Sequence, residues 1–338
     1  MLAMATRFAV PCPWEKSVEN LLTRDNLQKW APLLVLFALV LFFSIANPNF
    51  LSMRNFARIS ILSTPALMIG VGVTFIILMG SIDLSMEGAV AVCAVLFATM
   101  FTALGGSLAG WGWLAIPGAL FVGALFGLIN GLVHVGLKIP SFMASLSMGF
   151  VGIGLSLLIT GGDRIRVEDP LFRSLLTYRL GGFPVMVYVA LAALLIAGFI
   201  QGQTKIGRNF YAVGGGEDLA HASGLNVPRV RIIGFVIAGI FYALGAMLAV
   251  AQIGIAETVT GRNLMFVSIT SVVVGGTALW GGAGGVWNTL VGVLIVNVIG
   301  NGMVVMGLPS YVQDGVLGLL VIIAVYLSTD RRSLSFVK

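Results

Sequence analysis

The sequence predicts an all-α polytopic membrane protein with about ten transmembrane helices and an inverted internal repeat. Three observations predict it. Of 338 residues, 58% are hydrophobic and 9% charged, with a mean hydropathy of +1.04, against about 25% charged in soluble domains. Apolar runs of the roughly 20 residues that cross a hydrocarbon core recur along nearly the whole length, so a soluble domain has nowhere to fit. A pattern of glycine pairs, Asn-Gly and Pro-Ser-aromatic occurs twice.

The elements follow in order. Residues 1–30 carry Arg7, Lys16, Arg24 and Lys29 with acids, Pro11 and Pro13, and no small-residue cleavage site follows the next apolar run. This reads as a cytoplasmic tail, not a cleaved signal. Breaks at Pro, Gly and charge clusters place spans near 31–46, 60–79, 88–104, 113–134, 141–160, 184–201, 232–252, 264–280, 285–302 and 310–327. A single membrane domain therefore covers 31–330, with a cytoplasmic polar loop at 202–231 and a second cytoplasmic tail at 331–338. With both ends inside, cytoplasmic segments hold 12 of the 19 Lys and Arg. External ones hold Arg54, Arg58, Arg164, Arg166, Arg173, Arg179 and Arg262. The bias follows the positive-inside rule, weakened by the arginine-rich outer loop 161–183. The net charge of +6 then faces headgroups and cytosol, and no basic patch with interleaved aromatics points to nucleic acid. Cys12 and Cys93 are too few and too separated for a disulfide framework or a metal site.

The repeat pairs the glycines at 105 and 106, followed by "NGLVHVGLKIPSF" (130–142), with those at 275 and 276, followed by "NGMVVMGLPSY" (301–311). By the span count "IPSF" lies inside and "LPSY" outside, so the two units have opposite orientation. Inverted repeats are the architecture of transporters that place a substrate path between halves.

Two long apolar runs flank "GSIDLSMEG" (80–88), although a charge at the bilayer centre costs about 2.5–3.5 kcal/mol. One reading is capping: Gly80 breaks one helix, and Asp83 or Ser85 caps the next. The other is a broken helix beside a path, since irregular backbone at membrane depth is tolerated only against protein or water. Both keep Asp83 from lipid. Segment 204–231 mixes both charge signs around "EDLAHASG"; it is a solvated loop or a short helix that docks on a partner. Ala220 and Gly224, four apart, would form its small-residue face.

Polar candidates for lining a path are Asn130, Asn297, Asn301 and Gln313, with Thr74 and Ser145 behind them. Each is equally suited to bridging helices. Only Asp83, Glu87 and Asp314 fall near membrane depth, which is no proton relay. "VVVGGTALWGGAGGVW" (272–287) lacks the strand and acid of a dinucleotide site, and "GLVHVGLK" (131–138) is a membranous near-miss to a phosphate loop. With His134 and His221 alone, no metal cluster or catalytic triad assembles. ATP, if used, must be hydrolysed elsewhere.

Four blocks resemble the permease subunits of bacterial ATP-binding-cassette importers for monosaccharides of the ribose, xylose, arabinose and galactose type. They are "GSIDLSMEG", "IPSFMASLSM", "GRNFYAVGGGEDLAHASGLNVPRV" and the run from "VVVGGTALW" to "LPSYVQDGV". The resemblance implies a plasma-membrane permease paired with a second copy or a sister. It also implies cytoplasmic ATPase subunits that hold the ATP and Mg, a periplasmic sugar-binding protein, and no cofactor on this chain. Carried over by position, the segment from Gly215 to Val227 is the coupling helix, with Gly215, Glu217, Asp218, Ala220, His221, Ser223 and Gly224 as its residues. Gly216 stands where the family commonly has Asn, and His221 where it has Arg. Met265 and Val267 replace two acids, and Glu87 is an addition, which implies an atypical substrate such as a polyol or modified sugar. On this reading Asp83 and Ser85 shape a helix break beside the path, with Asn130, Asn297, Asn301 and Gln313 lining it. A facilitator acting alone is the competing reading; an enzyme lacks a converging acid, base and nucleophile.

Overall fold

The computed structural model describes residues 24–328. Residues 1–23 of the expected first tail, with Cys12, and all of 331–338 lie outside the described residues. Long apolar runs become helices because hydrocarbon offers backbone N–H and C=O groups no partner but each other. The first are α1 (Arg24–Ala46), α2 (Met53–Leu78), α3 (Met86–Ala103), α4 (Ala115–Gly136) and α5 (Ser141–Thr160). A loop holding the short α6 (Pro170–Thr177) leads to α7 (Val185–Gln203). The polar α8 (Lys205–Gly215) and α9 (Glu217–Ala222) precede the long α10 (Val227–Ile253). Then come α11 (Leu264–Val274), α12 (Val286–Val305) and α13 (Ser310–Ser328).

Among the described residues, seven helices are long and apolar enough to cross a membrane: α2, α3, α4 with its preceding 3-10 turn, α5, α7, α10 and α12. The expected span at 264–280 needs correction. Its helix has 11 residues, about 16 Å at 1.5 Å per residue, roughly half of a hydrocarbon core. Gly276, Gly281, Gly282 and Gly284 all adopt positive φ, so residues beyond Val274 continue as turns. The longer stretch 255–282 still joins the two ends of the molecule. At one end Ile255–Ala256 pairs antiparallel with Ile165–Arg166, and Gly182 of the same loop packs on Met53 at the start of α2. At the other, the Gly282 N–H donates to the Leu78 carbonyl at 3.0 Å.

The core forms around α2, 89% of whose apolar window is buried; Ser52 caps it by accepting from the Asn55 N–H. Its neighbours are α10, α11 and α12, while α10 also packs along α4. There a Cβ on Gly123 would overlap the Gly239 carbonyl, and one on Gly239 the Gly123 carbonyl. Backbones this close are how membrane helices gain dispersion energy when lipid removes the hydrophobic drive between them.

Candidate functional site

The break at 80–85 is a polar knot joining four helices. Asp83 is 2% exposed. Its Oδ1 accepts from the Ser85 N–H at 2.8 Å and the Asn130 amide at 3.4 Å, and its Oδ2 accepts from the Tyr242 hydroxyl at 2.8 Å. Asn130 also donates to Ser85 Oγ at 3.0 Å. Ser141 and Ser145, at the start of α5, accept from the N–H groups of Ile82 and Leu84 at 3.0 and 2.9 Å. Ser85 makes no side-chain cap for α3. Asp83 instead closes a turn onto the amide of Ser85, the residue before the helix, and ties that turn to α4 and α10. Tyr242 is the member that sequence reasoning missed: it lies 159 positions from Asp83 in the apolar middle of α10, with no local signal.

The polar segment is more ordered than a loop with one short helix. Thr204 accepts from Gly207 N–H to start α8, and Asn226 accepts from Arg229 N–H to start α10. Between them, Asp218, Leu219, His221, Ala222 and Ser223 are exposed, with Leu219 75% exposed. The face expected from Ala220 and Gly224 does not form. Ala220 is 4% exposed and turned inward, and α9 stops at Ala222, leaving no second turn for an i,i+4 pair. Gly224, at φ +82°, is the helix stop, with its N–H on the His221 carbonyl at 2.9 Å. Glu217 pairs with Arg231 at 2.7 Å, linking α9 to the base of α10.

A glycine junction connects this segment to the knot. The backbones of Gly80, Gly214 and Gly281 meet so closely that a Cβ on Gly214 would strike the Leu78 carbonyl, and one on Gly281 would lie 2.7 Å from the Gly80 nitrogen. Beside it, Tyr211 donates to the Gly284 carbonyl at 2.6 Å and accepts from Gln201, whose Oε1 takes the Val286 N–H at 2.8 Å. Burial raises the Tyr211 phenol above its ordinary value of 10.0. The neutral donor is therefore kept throughout the physiological range, and the bond's contribution is lost only as pH rises beyond that value through the higher folded one.

The remaining candidates separate from the knot. Thr74 and Thr289 bond at 2.5 Å between α2 and α12. Asn297, Asn301 and Gln313 converge with Arg58 on a cavity of about 190 Å³ at the opposite end of the molecule. Asn297 donates to its own helix at Val293 O, 2.9 Å, and Gln313 to Leu308 O, 3.0 Å. Asn301 is 3% exposed, and neither of its amide atoms has a hydrogen-bond partner among the described residues. A second, more open hollow of about 370 Å³ lies at loop 161–183 between Arg166, Glu168, Arg173 and Gly254.

Broken helices, a polar segment projecting beyond the apolar spans and a partly polar cavity define a multi-pass membrane permease. Residues 55–325 match the model of the family described as branched-chain amino acid transport system / permease component, and the chain belongs to that family. The ribose import permease protein of Bacillus subtilis is 35% identical over 310 residues, covering 90% of this chain and 94% of the relative. The ribose import permease protein of Haemophilus influenzae is 32% identical over 307 residues, with 88% and 93% covered. The D-allose transport system permease protein of Escherichia coli is 30% identical over 301 residues, with 88% and 91% covered. No solved structure matches the chain.

Proposed function

We infer that this chain is the membrane permease subunit of an ATP-driven importer that moves a monosaccharide or related polyol into a bacterial cytoplasm. The observation that carries this is the near full-length similarity to ribose and allose permeases, although the family description itself names branched-chain amino acids. ATP and Mg are held by separate cytoplasmic ATPase subunits, a second permease copy or a sister completes the path, and a periplasmic binding protein delivers the sugar to the outer loops. The chain crosses ten times, with both termini cytoplasmic. This count is supported by the course of residues 255–282 from one end of the molecule to the other and by helices α1 and α13 at the expected places. The inverted halves are supported by the element order, for glycine pairs follow α3 and α11, and Pro-Ser opens α5 and α13.

In this mechanism α9 sits on the ATPase, with Leu219 as its apolar anchor. Closure of the ATPases pushes α9, and the push reaches the Asp83 knot through the junction at Gly214, Gly281 and Gly80, and α10 through Glu217 and Arg231. Rigid-body motion of the bundles then opens the path on the other side. The test is reconstitution in nanodiscs. The chain alone hydrolyses no ATP; with its ATPase and loaded binding protein it hydrolyses ATP and delivers D-ribose, D-allose or ribitol in proteoliposomes. Leu219→Arg weakens ATPase binding by about 30-fold or more, as loss of an interface anchor costs about 2 kcal/mol or more. Sugar flux by the chain alone would instead establish a facilitator, and delivery of leucine would establish an amino-acid importer.

A further inference from the structure

We propose that Glu87, Arg262 and Asn263 form a polar station near half membrane depth, open to the aqueous path, where a carboxylate and a guanidinium together hold adjacent hydroxyls of a neutral polyhydroxyl solute. The proposal rests on the importer reading and names the side chains that choose the solute. It starts from the loop between Ala256 and α11. Ile255–Ala256 pairs with Ile165–Arg166 at one end of the molecule. Residues 257–263 then run inward as turns, with the Thr260 N–H on the Glu257 carbonyl at 3.0 Å and the Arg262 N–H on the Val259 carbonyl at 2.9 Å. Gly261 seats on the first turn of α3, where a Cβ would lie 2.5 Å from the Glu87 carbonyl oxygen. The next residue of α3, Gly88, packs on Gly149 and Gly152 at the middle of the 20-residue α5. The loop thus descends to the midpoint of a helix long enough to cross the membrane, and carries inward Arg262, which the sequence placed in an external segment.

Lipid is a poor neighbour at that level. Irregular backbone at membrane depth is tolerated only against protein or water. Arg262 and Asn263 are exposed and Glu87 is half-buried, although a charge facing lipid at the bilayer centre costs about 2.5–3.5 kcal/mol. A second permease packed tightly on this face would have to desolvate both charges. A water-filled path between the two leaves them hydrated until a solute arrives, and broken helices near the midplane are where many transporters hold their solutes. The chemistry of the pair names the solute. A guanidinium offers N–H donors and no acceptor, a carboxylate offers acceptors only, and the Asn263 amide supplies both. A hydroxyl donates and accepts, so neighbouring hydroxyls of one sugar or polyol satisfy Glu87 and Arg262 together. The two formal charges cancel, which leaves no net attraction for a charged solute, and leucine offers the pair no hydroxyls.

The experiment reads occupancy of the loop in the assembled importer in nanodiscs, with Cys12 replaced by Ser and Val259→Cys as the reporter. Val259 is exposed and one turn from Arg262, and the native Cys93 is fully buried. The initial rate of modification by a charged, membrane-impermeant methanethiosulfonate is measured against increasing D-ribose, ribitol, D-gluconate and leucine. The expected result is ready modification that D-ribose and ribitol slow and that D-gluconate and leucine do not. Glu87→Gln and Arg262→Gln, each added to the reporter, raise the D-ribose concentration for half protection about ten-fold, the equivalent of 1.4 kcal/mol. Glu87→Gln leaves the Arg262 charge uncancelled and gains protection by D-gluconate. Absence of modification overturns the open face. Protection by D-ribose that is equal in all three backgrounds, or protection by no solute while the reporter importer delivers sugar in proteoliposomes, overturns the station and leaves the importer reading standing. Delivery of leucine but of no sugar by the wild-type importer overturns that reading together with the polyhydroxyl assignment.

Discussion

At the scale of single residues, Asp83 explains why a strongly apolar chain keeps a carboxylate between two spans. Three donors on three different segments, Ser85, Asn130 and Tyr242, converge on its two oxygens, so it is the common acceptor that lets an irregular turn exist where water is scarce. Asp83→Asn keeps an acceptor oxygen in place, whereas Asp83→Leu orphans a backbone N–H, a phenol and an amide at about 1–3 kcal/mol each. The expected outcome is near wild-type stability and reduced transport for Asn, but loss of several kcal/mol and of folded yield for Leu, checked by thermal unfolding in detergent and by uptake. Equal behaviour of the two variants would remove the knot from this account. The carboxylate and its position were legible in the sequence, because Asp inside an apolar stretch is costly unless partnered. Its partner Tyr242 was not, because an aromatic residue in an apolar helix has no pattern to separate it from the core.

At the scale of elements, the proposed coupling runs through the short polar helices and the glycine junction. Gly214→Ala places a Cβ against the Leu78 carbonyl, which forces the end of α8 away from the break. The exposed face of α9 proposed to bind the ATPase is untouched, so Gly214→Ala is expected to assemble normally while hydrolysis loses most of its stimulation by the loaded binding protein. Stimulated ATPase and pull-down yield measured on one preparation check this, and full stimulation would rule out transmission through the junction. The polar composition of 204–231 set the segment apart from the apolar spans. It did not identify α8 as a helix, since its glycines at 207, 214 and 215 lower intrinsic propensity; tertiary packing of Phe210 and Val213, both buried, supplies what propensity does not. The same limit applies at α11, where an apolar run long enough to span is interrupted by backbone turns that pack against Gly80 and Gly214.

At the scale of the whole molecule, the route of α11 and its turns decides how many times the chain crosses. With Cys12 replaced by Ser, single cysteines at Tyr178, His221 and Met306 report the sidedness; each is an exposed position. A membrane-impermeant maleimide applied from outside is expected to label Tyr178→Cys and Met306→Cys and to leave His221→Cys unreacted. Labelling of Met306→Cys only from the cytoplasmic side would make 264–285 re-entrant and reduce the number of crossings. The native Cys93 does not interfere, being fully buried.

What the sequence determined by itself was the class of molecule, its helical spans and the segments that hold its chemistry. These depend on local quantities: a run of apolar residues is driven into lipid whatever its neighbours do, and a polar segment or a lone carboxylate stands out against it. Only the tertiary structure decided which of those residues work together. Asp83, Ser85 and Asn130 joined Tyr242 in a closed knot; Asn297, Asn301 and Gln313 joined Arg58 around a cavity at the other end. Gly214 and Gly281 became a backbone contact that no spacing foretells. Such groupings arise between helices far apart in the chain, set by close backbone packing and by the need of each buried polar atom for a partner, and a linear pattern carries no record of either.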